Sequence, residues 1–133
     1  MQTTRALVVA AALAVATGSA SAQQPKPAAA QGGPVYVATF IDLMPPNTPA
    51  GTKAIQQYVT ETKKDAGNVR AEAIAQEGRE NHLVIYEVWQ SKKAFDAHEA
   101  LPHTKTFKTT LYPLMGAPFD QREHHLVAGG KTP

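Results

Sequence analysis

The sequence predicts a single α+β domain with the element order β-α-β-β-α-α-β, in which an antiparallel sheet carries helices on one face. Four stretches have the β-branched and aromatic content of strands, and three have apolar residues at helical spacing. The chain has 133 residues, the length of one ordinary domain, and a formal net charge of only +2. That small, mixed charge argues against a nucleic-acid-binding protein with a basic stripe. The absence of Cys from the sequence excludes disulfides, zinc ribbons and thiol catalysis.

The first 22 residues have the pattern of a signal peptide. Arg5 supplies a positive charge, residues 6–16 (ALVVAAALAVA) are apolar, and Ala20-Ser21-Ala22 has the small residues that signal peptidase accepts. The apolar run is shorter than the roughly 20 residues that a membrane-spanning helix needs. We therefore expect cleavage after Ala22, a periplasmic or secreted protein and no stable membrane anchor.

The segments on either side of the domain are poor in large apolar residues. Residues 23–34 consist mainly of Gln, Pro, Ala and Gly, and predict a flexible linker. Residues 128–133 predict a disordered tail. The folded domain is therefore expected to span residues 35–127.

The first half of the domain predicts a strand followed by a helix. Residues 35–43 (VYVATFIDL) read as a strand, and the Pro-Pro-Asn sequence at 45–47 ends it. Thr48 is a suitable N-cap before a proline at the first helical position, and the helix is expected to reach about Ala66. Gly67 suits the left-handed position that follows a helix.

The second half alternates between strands and helices in the same way. Ser91 is expected to cap the helix that follows the strongest strand, HLVIYEVW. The predicted elements are strands at 69–76, 82–89 and 119–127 and helices at 92–100 and about 103–115, with Pro113 bending the last turn.

This order is the split β-α-β, or ferredoxin-like, arrangement. It implies one antiparallel sheet with its helices on one face. The other face also carries apolar positions and needs a cover, for which the sheet of a second protomer is the natural choice.

Trp89 and His98 are the residues most indicative of a site. Trp89 ends the central strand, and His98 lies in the helix that follows, so the two side chains can face one cleft. Side chains alternate along a strand, so Glu87 shares the face of Trp89 and Tyr86 does not. Three alternatives remain open. Trp89 could be a core aromatic, and His98 could be a helix-surface or C-terminal-turn residue that interacts with the helix dipole. Glu87 could be a cross-strand partner of Arg70 or Arg122.

From Glu87 onwards the sequence resembles the antibiotic biosynthesis monooxygenase (ABM) family, quinol monooxygenase-like members included. The pattern is E-V-W, a polar turn, A-F-x-x-H, then P-H and a helix that closes with P-L. The matching residues are Glu87, Val88, Trp89, Ala94, Phe95, His98, Pro102, His103, Phe107, Pro113 and Leu114.

The resemblance implies a homodimeric α+β barrel with a pocket between sheet and helices in each protomer. It implies oxygenation of a quinol-like or polycyclic phenolic substrate by O₂ without cofactor, because an electron-rich substrate can reduce O₂ itself once deprotonated. His98 would be the base, Trp89 an aromatic wall that can donate its N–H, and His103, Glu87, Phe95 and Phe107 would contact the small aromatic substrate.

Two alternatives to this reading concern ligands. The same fold could be a non-catalytic dimeric module that binds an aromatic or haem-like ligand. Haem degradation is disfavoured, because the first strand lacks the Asn that haem-degrading relatives use. No metal site is expected, because Leu101-Pro102 interrupts helical spacing between His98 and His103, and His124 and His125 face opposite ways.

Overall fold

The computed structural model describes residues 32–129, and the predicted order of elements is confirmed there. The predicted signal peptide and most of the predicted linker lie outside the described residues, as does the end of the predicted tail, so these stay predictions. No helix in the described part is long and apolar enough to cross a membrane. The strands are β1 (Val35–Asp42), β2 (Asn68–Gln76), β3 (Arg79–Trp89) and β4 (Asp120–His124), and the helices are α1 (Thr48–Thr62), α2 (Lys92–Glu99) and α3 (Pro102–Leu111).

The four strands form one antiparallel sheet in the order β2-β3-β1-β4. β3 lies at the centre, so Glu87 faces Val37 of β1 on one side and Ala71 of β2 on the other. This topology confirms the α+β, ferredoxin-like fold. It also places the chemically interesting end of β3 in the middle of the sheet, where neighbouring strands exclude water from it.

Several predicted boundaries differ from the structure. Thr48 is the first residue of α1 and not its cap, because residues 45–47 form a 3₁₀ turn whose Pro45 carbonyl accepts a hydrogen bond from the Thr48 hydroxyl at 2.9 Å. α1 ends at Thr62, four residues early, as the amides of Lys64 and Asp65 turn back to carbonyls three residues before them. β4 stops at His124.

The core lies between the sheet and the helices, in two parts. A larger part packs α1 and α3 on β1 and β3, through residues such as Ile41, Ile55 and Leu111. A smaller part joins Val37, Trp89 and Phe95 under α2. The opposite face of the sheet is open, and its large apolar side chains include Phe40, 44% exposed, and Ile74, 58% exposed.

Gly67, which joins α1 to β2, allows α2 to pack closely. Its φ is +84°, and a Cβ there would lie 2.5 Å from Cβ of Ala94. Gly78, in the β2–β3 turn, has a similar φ of +73° but open space around it. Both glycines therefore adopt a left-handed backbone conformation, but only at Gly67 would a side chain also collide with a neighbouring residue.

We expect Gly67→Ala to destabilise the fold more than Gly78→Ala does. The left-handed backbone costs each variant about 1–2 kcal/mol. Overpacking against Ala94 adds about 1–3 kcal/mol for Gly67→Ala alone. Urea unfolding followed by circular dichroism measures both, and equal losses would show that α2 does not pack tightly on this loop.

Candidate active site

The end of β3 and the start of α2 bring Trp89 and His98 together. The Ser91 hydroxyl accepts a hydrogen bond from the Ala94 amide at 3.2 Å and begins α2 so that Phe95 and His98 point to the sheet. The ring centroids of Trp89 and His98 are 4.5 Å apart, and these residues are 0% and 1% exposed. His98 is therefore not a surface residue, although it does lie in the last turn of α2.

Both ring nitrogens of His98 are held by side chains from other elements. Nδ1 lies 2.7 Å from Oδ2 of Asp65, in the loop after α1. Nε2 lies 2.8 Å from the phenol oxygen of Tyr58, and that oxygen lies 3.0 Å from Oε1 of Glu87. A continuous hydrogen-bonded chain thus runs from the buried Glu87 through Tyr58 and His98 to Asp65.

The chain satisfies its contacts in two arrangements of protons. Tyr58 has one hydrogen and lies between two possible acceptors. In the first arrangement a protonated Glu87 donates to Tyr58, which donates to neutral His98, and His98 donates from Nδ1 to Asp65. In the second, Tyr58 donates to ionised Glu87, and imidazolium His98 donates to Tyr58 and Asp65. Both contain the same number of protons, so one becomes the other by proton shifts along the chain.

Burial favours the neutral arrangement. Loss of solvation raises the pKa of Glu87 to about 7, against smaller opposing effects of the Tyr58 hydrogen bond and the Trp89 indole. Loss of solvation likewise lowers the pKa of His98, against the attraction of Asp65. Burial also raises the pKa of Tyr58 above its usual range, as does its proximity to Glu87. Tyr58 therefore keeps its proton and can donate to one neighbour while it accepts from the other.

α3 adds a second imidazole at the surface end of this chain. His103 Nε2 lies 3.1 Å from Asp65 Oδ2, and the rings of His98 and His103 have centroids 5.6 Å apart. The Leu101-Pro102 break, with an extended Leu101 before α3, reorients the chain between the two histidines. The Thr104 hydroxyl donates to the His98 carbonyl at 2.9 Å and fixes that turn. The His103 side chain is 27% exposed and that of Asp65 12%.

Unpaired buried polar atoms concentrate at the same place. Within residues 32–129, four buried side-chain atoms form no hydrogen bond of normal geometry, and all belong to residues of this region: Thr62 Oγ1, Glu87 Oε2, Trp89 Nε1 and His103 Nε2. The Trp89 indole still lies close enough to Glu87 to lower the pKa of its carboxyl. Each such group costs about 1–3 kcal/mol when it is left unpaired. Buried groups of this kind are rare in folded proteins and are found at reaction sites and at sites that bind water or an ion, so the cluster identifies this region as a candidate ligand or reaction site.

The structure brings most of the predicted site residues together. Phe95 lies beside Trp89, with ring centroids 6.1 Å apart, and Glu87 shares the face of Trp89 as strand alternation predicts. The alternative pairing of Glu87 with Arg70 or Arg122 is wrong, because Glu87 is 0% exposed and faces the helices. Phe107 lies on the other side of Tyr58, stacked on it at 4.0 Å.

Sequence reasoning missed two members of the chain, Tyr58 and Asp65. Tyr58 lies on the apolar stripe of α1, next to Val59, and a phenol on such a stripe was a signal that it needs a buried partner. Asp65 lies in an irregular loop, and nothing in the local pattern marks it.

A cavity of about 490 Å³ lies elsewhere, at one end of the sheet. Its lining includes Phe40, Asp42, Ile74, His82, Val84 and Asp120, and none of the predicted site residues. The expected pocket between sheet and helices is filled by side chains around Trp89 and His98.

We expect the stability of the protein to fall as pH rises from about 4.5 to about 7, because of Glu87. Its folded pKa lies above the ordinary value of 4.5, so folding favours the proton and ionisation costs stability. At 1.36 kcal/mol per pKa unit the loss is on the order of 3 kcal/mol. Glu87→Gln keeps a donor for Tyr58 and should remove this loss.

Urea unfolding at pH 5 and pH 8, with a chelator present, compares the wild type with Glu87→Gln and the exposed control Glu80→Gln. Below pH 6.5, His98 makes stability rise with pH, because burial disfavours its charged form. This contribution is present in every variant, so it does not affect the comparison. The pH dependence of Glu87→Gln should differ from the wild type and that of Glu80→Gln should not. Parallel curves for all three would contradict a buried, protonated Glu87.

Comparisons with known proteins agree with this fold. A model of the family described as "Antibiotic biosynthesis monooxygenase" matches residues 34–110. A candidate antibiotic biosynthesis monooxygenase of Nitrosomonas europaea is 20% identical, with 73% of this chain and 93% of that chain covered and a TM-score of 0.68. Rv0793 of Mycobacterium tuberculosis is 19% identical, covering 74% of this chain and 100% of that one, with a TM-score of 0.70.

At these identities the solved structures support the fold, and the family match covers more than half of the chain. No curated protein matches the sequence. The chain belongs to the antibiotic biosynthesis monooxygenase family.

Proposed function

We propose that this protein is an exported monooxygenase that oxidises a quinol-like or polycyclic phenolic substrate with O₂ and draws the electrons from the substrate. The observation that carries the proposal is the chain from Glu87 to Asp65, together with the unpaired polar atoms at its inner end. Family membership supplies the reaction class, and the chain supplies the proton chemistry that such a reaction needs.

The unpaired atoms of Glu87 and Trp89 complement a phenolic hydroxyl. Glu87 Oε2 can accept a hydrogen bond, and Trp89 Nε1–H can donate one. A substrate hydroxyl placed between them would give its proton to Oε2, while Oε1 passes a proton to Tyr58 and Tyr58 passes its own to His98. Asp65 then stabilises the imidazolium, so the substrate becomes a phenolate without leaving a charge on the buried Glu87.

The electrons and atoms balance without an added reductant. A deprotonated quinol donates electrons to O₂, one oxygen atom enters a ring C–H bond, and the other leaves as water with the two hydroxyl hydrogens. The product is a hydroxyquinone. Glu87 and Trp89 are fully buried, so substrate entry requires α2, which carries Phe95 and His98, to move from the sheet. The relay then requires α2 to return, because it operates only with His98 in contact with Tyr58.

Haem does not fit this site as a ligand of His98. The His98 side chain is 0% exposed, and its two ring nitrogens face Asp65 and Tyr58. A haem ligand must face a volume that holds a whole porphyrin, and packed side chains surround His98. The residues present therefore favour proton transfer over haem ligation.

A homodimer is part of the same proposal. Phe40 and Ile74 are exposed on the open sheet face, close to the cavity of about 490 Å³. Exposed apolar patches of this kind commonly mark interfaces. A second sheet packed on this face would cover both and give the barrel that the family resemblance implies.

We expect Tyr58→Phe to lower the rate of O₂ uptake with the best substrate of a quinol and polycyclic phenol panel by about 100-fold or more, since general acid–base steps contribute about 10²–10⁴-fold. The variant keeps the ring stacked on Phe107 and removes only the relay. Tyr112→Phe is the matched control, because Tyr112 is 65% exposed and far from a buried relay.

An oxygen electrode and product analysis by mass spectrometry measure this reaction. Wild-type rates equal to those in buffer for the whole panel would contradict the enzyme proposal, and binding of the same compounds without O₂ uptake would identify a binding module. Equal rates for wild type and Tyr58→Phe would contradict the relay.

We expect the wild type to be a dimer and Phe40→Glu to be a monomer. Burial of a carboxylate in this interface costs more than the contact contributes. The neighbouring Arg122, 5.3 Å from the Phe40 ring, is already paired with Asp120. Leu126→Glu is the control, because Leu126 is also 44% exposed but lies after β4. Light scattering after size exclusion gives the masses and circular dichroism checks folding; a monomeric wild type would contradict the dimer.

A further inference from the structure

Three elements bring metal-ligating side chains to one point beside the proton chain. Asp65 follows α1, His98 lies in the last turn of α2, and His103 lies in the first turn of α3. One ligand atom from each lies within 4.8 Å of the other two. Two imidazoles and one carboxylate form a donor set that first-row divalent transition ions accept.

The spacing of these atoms is close to that of a coordination sphere. Asp65 Oδ2 lies 2.7 Å from His98 Nδ1 and 3.1 Å from His103 Nε2. Ligands about 2.0–2.1 Å from a zinc ion are about 3.3 Å apart in a tetrahedron. The two imidazole nitrogens lie within 4.8 Å of each other. Metal binding therefore requires the carboxylate to shift by a few tenths of an ångström and the imidazoles to approach each other by up to about 1.5 Å.

The orientation of His103 is an independent indication. Its Nε2 is buried and close to Asp65 Oδ2, yet it forms no hydrogen bond, so the nitrogen is directed past the oxygen. Ligands of a common ion point at the ion and not at each other. The surface gives access, because the side chains of His103 and Asp65 are 27% and 12% exposed.

The surroundings resemble those that support a metal-bound histidine. Such a histidine usually makes a hydrogen bond through its other ring nitrogen, which fixes the ring. His98 Nε2 lies 2.8 Å from the Tyr58 hydroxyl, and Tyr58 in turn contacts Glu87. With the ion on Nδ1, His98 would donate from Nε2 to Tyr58.

We propose that Asp65, His98 and His103 bind one divalent first-row transition ion, such as Zn²⁺, with three protein ligands and at least one position left for water. The sequence argument against a metal site assumed that the Leu101-Pro102 break separates the two histidines. In the structure that break brings them together. The ion would replace the proton that lies between His98 and Asp65. The proposed reaction needs that proton in place, so it does not use the ion.

Calorimetric titration of the metal-free protein with Zn²⁺ tests the site. His124→Gln and His125→Gln are introduced into every protein, because adjacent histidines in an exposed segment bind metals weakly. We expect one ion per chain, and an affinity at least about 100-fold lower in His103→Ala and in Asp65→Asn, since even residues behind the ligands contribute about 10–100-fold.

His82→Ala is the matched control. His82 also contacts an aspartate, with Nε2 3.3 Å from Asp42 Oδ1. Within residues 32–129, however, this pair is not part of a group of three metal-ligating side chains. The affinity of His82→Ala for Zn²⁺ should therefore equal that of the parent protein. Co²⁺ titration provides a second readout, because the intensity of its visible absorption depends on the ligands and their number.

No saturable Zn²⁺ binding to the parent protein would overturn the proposal, as would equal affinity in His103→Ala or a loss of binding in His82→Ala. Circular dichroism confirms that each variant is folded. The readout is binding and not activity, so the outcome is separate from that of the O₂ uptake experiment.

Discussion

The site depends on one constraint: both ring nitrogens of His98 are hydrogen-bonded to other side chains. Asp65 at Nδ1 and Tyr58 at Nε2 fix the ring against Trp89 and leave it no freedom to rotate. Because the ring is buried, each of its nitrogens must form a hydrogen bond with a protein group. The charge of each group in the chain then determines whether its neighbour is protonated. The chain that ends at Glu87 follows from this constraint.

The fold supplies the partners from elements that are distant in sequence. Tyr58 lies in α1 and Glu87 in β3. The short loop after α1, in which Gly67 allows α2 to pack closely, brings Asp65 next to His98 of α2. Each partner is rigid for a different reason: Tyr58 is stacked on Phe107, and Glu87 is held in the central strand. Proton transfer over fixed distances of 2.7–3.0 Å needs such rigidity, since small displacements slow it sharply.

Most of the fold and half of the site could be predicted from local patterns. Strand alternation placed Glu87 with Trp89, and the Ser91 cap placed His98 in the following helix. These depend on short-range geometry, which a sequence displays. Asp65 could not be predicted, because its role depends on where an irregular loop meets α2 and α3, and a loop has no period to read.

The same short-range reasoning misjudged the Leu101-Pro102 break. A break in helical spacing excludes an i, i+4 pair on one helix, but it also permits two helices to turn their first and last residues towards each other. His98 and His103 meet in this way, with Asp65 between them. A Pro between two histidines therefore does not exclude that both bind one metal ion. The angle between the two helices decides whether they can.

The proton chain and the proposed ion compete for one atom. When a metal occupies His98 Nδ1, the remaining hydrogen of the ring lies on Nε2 and points at Tyr58. Tyr58 must then donate to Glu87 Oε1, which accepts both when Glu87 is ionised and when its proton lies on Oε2. An ion at the surface end would thus leave His98 no nitrogen that can accept a proton and would block the relay of a substrate proton to His98. Proton transfer and metal binding are therefore alternative uses of His98 and Asp65, and the concentration of the ion around the protein would determine which use prevails.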